Sequence, residues 1–117
     1  MTEDRYAPRV IPPAVNIQET EKEVLIEAEM TGLKKEEVSI DVKGDELTLK
    51  GSKKDREVPE GYTPVYRERC PFEYSRTFIL GEEVKKEGIK AKYENGILKV
   101  TIPKAEEVQP RKIEISD

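Results

Sequence analysis

The chain has 117 residues, enough for one domain that can bury a core of its own without disulfide or metal staples. Hydrophobic residues make up 35% and charged residues 39%, but the formal net charge is only -4, so the core must be lean while self-repulsion stays small. Charges of both signs are interspersed without the basic stripe that nucleic acid needs, and no apolar run approaches membrane length.

Catalytic chemistry has little to work with. There is no histidine, which removes histidine-based acid, base and metal chemistry. Cys70 is the single cysteine, so an intrachain disulfide is excluded and a reducing, cytoplasmic setting is the default reading. Beside Pro71 and without a histidine, it reads as a small half-buried side chain rather than a reactive thiol. The 25 acidic residues make chance carboxylate pairs unavoidable and therefore uninformative, and no glycine-rich phosphate loop with its lysine occurs. The expectation is a non-enzyme that takes no cofactor or metal.

Taken in order, residues 1 to 13 are polar and proline-bearing, end in Ile11-Pro12-Pro13, and read as a short extended arm. Val15 and Ile17 alternate with Asn16 and Gln18 as a first strand, and Glu19 to Lys22 make a polar turn. Alternation resumes with Val24, Ile26, Ala28 and Met30 on one face and Glu23, Leu25, Glu27 and Glu29 on the other. That pattern predicts a half-buried antiparallel strand.

Thr31-Gly32 breaks the strand, and Leu33 to Glu37 read as at most a short helical turn. Val38, Ile40 and Val42 then alternate as a further strand, Gly44-Asp45 makes a compact hairpin turn, and Leu47 and Leu49 return toward Gly51. Strand follows strand at the spacing of an all-β sandwich.

Residues 52 to 69 depart from that rhythm. The stretch opens with charges, is broken by Pro59, Gly61 and Pro64, and carries Tyr62, Val65 and Tyr66 before Arg67, Glu68 and Arg69. A loop of this length in a compact domain calls for a function, and Val65-Tyr66 predicts a small strand with no partner nearby in its own chain. Phe72, Tyr74, Phe78 and Leu80 mark another strand, with Arg76 on the same parity, and Gly81 to Gly88 form a charged loop.

The clearest local signal is Ala91 to Lys104. Asn95-Gly96 offers the two positive-φ residues of a type I′ turn, with Ile89, Ala91 and Tyr93 alternating before it and Leu98, Val100 and Ile102 after it. Pro103 closes the second strand by removing a ladder donor. The tail from residue 105 is hydrophilic except for Ile113 and Ile115, a short apolar edge with nothing local to bury it, and it reads as a docking peptide.

These pieces carry a resemblance. Pro13 to Thr20, Gly32 to Val38, Leu47-Thr48-Leu49-Lys50-Gly51, Glu68-Arg69 followed by Phe72 to Leu80, and Ala91-x-x-x-Asn95-Gly96-Ile97-Leu98 resemble the small heat-shock proteins of the bacterial, archaeal or plant kind. The last piece is similar to the family's A-x-x-x-N-G-V/I-L signature, carried by Ala91, Asn95, Gly96 and Leu98, and Ile113-Glu114-Ile115 is similar to its I-x-I tail motif. Thr31 and Gly81 stand where the family commonly has proline, and the arm is shorter than the apolar arms the family uses for client capture and assembly.

The resemblance implies an α-crystallin domain over residues 14 to 104, an immunoglobulin-like antiparallel β-sandwich with a long strand-exchange loop. It implies an ATP-independent holdase that binds partly unfolded clients. It implies a homodimer in which the loop around Tyr62, Val65, Tyr66, Arg67, Glu68 and Arg69 adds to a partner's sheet. Larger homo-oligomers would form as Ile113 and Ile115 enter a neighbour's groove, lined by Val38, Ile40 and Val42 on one side and Ile89, Ala91 and Tyr93 on the other. A β-sandwich adaptor for a folded partner, or a structural assembly protein, are the competing readings.

Overall fold

The structure is a computed structural model and describes residues 9–53, 58–68, 71–105 and 115. Its strands are β1 (Arg9–Ile11), β2 (Val15–Glu19), β3 (Glu23–Glu29), β4 (Val38–Lys43), β5 (Glu46–Lys53), β6 (Phe72–Ile79), β7 (Lys90–Glu94) and β8 (Ile97–Pro103). They form two four-stranded sheets, ordered β1-β6-β5-β4 and β2-β3-β8-β7.

The alternation seen in the sequence becomes the two faces of each sheet. On β4, Val38, Ile40 and Val42 stand opposite Gly51, Leu49 and Leu47 of β5, and these stand opposite Tyr74, Arg76 and Phe78 of β6. In the second sheet Val24, Ile26 and Ala28 stand opposite Ile102, Val100 and Leu98. The two inner faces meet in a core of Ile26, Ala28, Met30, Leu47, Leu49, Leu80, Leu98, Val100 and Ile102. Each fully buried aliphatic side chain contributes about 1.5–3 kcal/mol. No polar or charged residue is buried among the described residues.

Turn chemistry sets the registers. Asn95 and Gly96 have φ of 53° and 77° and join Glu94 to its partner Ile97 in a two-residue loop, as a type I′ turn requires. Gly44 has φ of 60° at the first position of the two-residue turn between Lys43 and Glu46. In the β2–β3 turn the Thr20 hydroxyl accepts from the backbone N–H of Lys22 and of Glu23, both at 3.2 Å. A single 3-10 turn, Lys35–Glu37, leads into β4, and the Glu37 carboxylate accepts from the Lys34 N–H at 2.7 Å.

The structure differs from the sequence reading in four places. The extended arm is also paired: Arg9–Ile11 lie parallel to Phe72, Glu73 and Tyr74, which makes one ladder of the first sheet parallel. Strand β5 runs past Gly51 to Lys53, because β6 continues to offer it partners as far as Phe72. The loop at 81–88 holds a second 3-10 turn, Lys86–Gly88, and a bridge from Val84 to Lys104. Finally, the small strand anticipated around Val65 is not formed: residues 62–68 are exposed and carry no ladder in this single chain, where no strand lies beside them.

Candidate functional site

The sequence points to no catalytic group, so the site to be built is an interaction surface. Its frame is the crossing from β3 to β4, which carries the chain from one sheet to the other. Tyrosines from both sheets hold that crossing. Tyr93 on β7 donates to the Met30 carbonyl at 2.6 Å and approaches the Leu33 carbonyl at 3.3 Å, and Tyr74 on β6 donates to the Thr31 carbonyl at 3.1 Å. The Tyr93 hydroxyl is pushed above the usual phenol range, first by burial, and also by Tyr74 and Glu37, against the opposing effect of its bond to Leu33.

These bonds fix how the sheets stack. Leu33 precedes β4 and Tyr93 lies near the end of β7, so the start of one edge strand faces the finish of the other. At the far end Lys86, ahead of β7, bonds Asp45, just past β4, with Nζ 2.5 Å from Oδ1. On the opposite flank Arg76 of β6 donates to the Pro13 carbonyl at 3.2 Å, setting β6 above the entry to β2. The free edges of β4 and β7 therefore border one side of the sandwich, with Tyr93–Leu33 and Lys86–Asp45 closing its two ends.

Of the six residues expected to line a groove, Val38, Ile40 and Val42 share one parity of β4, Ala91 and Tyr93 share one parity of β7, and Ile89 lies one residue ahead of β7. Val38, Ile40, Ile89 and Tyr93 are half-buried and pack against the core, while Val42 and Ala91 are exposed. The result is an apolar mouth bordered by two edge strands that have no further ladder among the described residues. Nothing in the sequence marked Asp45 and Lys86 as partners at its end. An ion pair between exposed side chains 41 positions apart leaves no mark in either local segment.

The long loop is the second surface. Tyr62, Val65 and Tyr66 are 74%, 95% and 79% exposed, and Arg67 and Glu68 are exposed as well. Arg69 lies outside the described residues, as do Cys70 and Ile113, while Ile115 is 95% exposed. The signature residues fall in or beside the β7–β8 hairpin: Ala91 on β7, Asn95 and Gly96 in the turn, and Leu98 buried on β8. Gly96 sits close to Thr31, where a Cβ would come within 2.9 Å of the threonine Cγ2. Its carbonyl also accepts the Met30 N–H at 2.8 Å. The signature turn thus braces the same crossing that the tyrosines hold.

Two stacked four-stranded sheets, closed by hairpins and bearing free edges and uncovered apolar side chains, define an immunoglobulin-like β-sandwich built for association rather than catalysis. Comparison with known proteins places it more closely. The Hsp20/alpha crystallin family model matches residues 16–116, and the chain belongs to that family.

Spore protein SP21 of Stigmatella aurantiaca is 32% identical over 114 residues, covering 97% of this chain and 67% of that protein. A 17.8 kDa class I heat shock protein of Arabidopsis thaliana is 36% identical over 98 residues, covering 83% of this chain and 62% of that protein. Among solved structures, heat shock protein 16.0 of Schizosaccharomyces pombe superposes with a TM-score of 0.67 at 28% identity, covering 92% of this chain and 99% of that one. A small heat-shock protein of Xylella fastidiosa, described as having a distinct high-order structure, shares the fold with a TM-score of 0.65 at 24% identity. The chain spans about two thirds of the length of the curated relatives it matches. The family consists of non-enzymatic chaperones, and membership supports a chaperone role. No helix among the described residues is long and apolar enough to cross a membrane.

Proposed function

We propose that the chain is an ATP-independent holdase of the cytoplasm, which binds partly unfolded proteins and keeps them from aggregating. The observation that carries this reading is the apolar mouth between the free edges of β4 and β7, where Val38, Ile40, Ile89 and Tyr93 stay only half covered. A holdase must offer apolar surface on demand while remaining soluble, which requires its edges to be capped by reversible contacts. Ile113 and Ile115 of a neighbour are suited to that capping. Burying both yields at most roughly 3–6 kcal/mol of transfer free energy, whereas association costs at least about 4 kcal/mol. One plug is therefore weak and exchanges freely, and several acting together hold an oligomer.

The subunit pairs as a homodimer by lending the loop around Val65 and Tyr66 to a partner's sheet. This supplies the ladder that these residues lack alone and covers side chains the single chain leaves in solvent. The deciding measurement is light scattering of a heat-labile client with and without the chain. Suppression at equimolar subunits is the expected result. Unchanged scattering overturns the holdase reading in favour of an adaptor or structural role.

A further inference from the structure

Strand β1 is the least secured ladder of the fold. It spans three residues, Arg9–Ile11, and runs parallel to Phe72–Tyr74, the pairing sense that is less stable per residue. All three residues are exposed, with Val10 at 65%, and the bond from the Arg9 N–H to the Pro71 carbonyl is long at 3.3 Å. Ordering a residue and forming one net hydrogen bond are terms of similar size and opposite sign, so a ladder this short opens readily. Pro13, by contrast, is fully buried, and its carbonyl accepts from Arg76. Release of β1 therefore stops at Pro13 and leaves the core intact.

We propose that β1 is a detachable cover for the edge of β6, and that an extended aliphatic segment of a client takes its place there. This rests on the holdase reading and names one surface through which it works. The chain itself shows what the edge accepts: a segment running parallel to β6 that carries two β-branched residues, Val10 and Ile11, ahead of a proline. Removing it frees the Pro71 carbonyl and the edge of β6 beside Glu73. Beside that edge the half-buried Phe72 ring stands edge-on to Tyr74 with centroids 5.2 Å apart.

The test uses a labelled peptide of residues 7 to 13 as probe and two altered full-length chains. In the first, Arg9, Val10 and Ile11 are each replaced by glycine. In the second, Val10→Cys and Glu73→Cys, which face each other across the ladder, are combined with Cys70→Ser so that oxidation locks β1 down. The glycine chain is expected to bind the peptide at least about tenfold more tightly than the parent. The locked chain binds none until it is reduced, which holds even if the glycine chain folds poorly. Equal binding by locked and reduced forms overturns edge exchange. Client scattering measured on the same samples separates the two claims. Gated peptide binding without suppression in any form sinks the holdase reading alone, and suppression with ungated binding sinks edge exchange alone.

Discussion

The hydroxyl of Tyr93 lies 2.6 Å from the carbonyl oxygen of Met30, and that bond ties the free edge of β7 to the crossing between the two sheets. Tyr93→Phe keeps the ring and strands the carbonyl, so it should cost about 1–2 kcal/mol, read from the midpoint of urea unfolding. The pH dependence carries a sign. Because the folded state holds this hydroxyl neutral longer than the unfolded chain does, its contribution is complete below about pH 10 and is lost as pH rises through the elevated folded value. The stability difference between parent and Tyr93→Phe should therefore hold steady below about pH 10 and shrink as pH rises above it. A constant difference across that range refutes the assignment.

Gly51 tests how closely the sheets pack. A Cβ built there would come within 2.7 Å of the Met30 Cε and closer still to the Leu33 side chain, both of which sit on the crossing. Gly51→Ala should destabilise the fold by about 1–3 kcal/mol through overpacking, although alanine is ordinarily at least as good as glycine in a strand. A thermal melt of the variant that matches the parent would show that the crossing can move aside.

Replacing Val65 and Tyr66 with serine should leave the unfolding of a dissociated subunit within about 0.5 kcal/mol of the parent, since neither side chain touches the core. The same change should raise the dimer dissociation constant at least about tenfold, measured by sedimentation at low concentration. Identical dissociation constants would remove the loop from the interface.

The tail gives an independent handle. Ile113→Ala with Ile115→Ala should eliminate species larger than the dimer from a size-exclusion profile while leaving the melting temperature of the sandwich unchanged. The matching lesion in the mouth, Ile40→Ser, should have the same effect on size, and adding it to the tail variant should change nothing further. An unaltered profile in either variant separates tail from mouth.

Much of this architecture was legible in the chain because it rests on local chemistry. The period of two along β3, β4 and β8 and the Asn95-Gly96 turn each depend on a few adjacent residues. What stayed hidden depends on distant partners. Arg9–Ile11 are too few to display a period, and they become a strand only because β6 has a vacant edge. Lys86 and Asp45 are two charges among many until the fold sets them side by side. The reach of β5 beyond Gly51 likewise comes from its partner strand. The loop at 58–68 is the reverse case, since its sequence asks for a strand and the lone chain has none to pair it with.

A core that buries no ionisable side chain among the described residues, in a chain without histidine, has a consequence for folding under stress. The side-chain type whose charge ordinarily changes between pH 5 and pH 8 is missing from the chain. Mild acidification, which charges the buried histidines of other proteins and loosens them, should leave this scaffold standing.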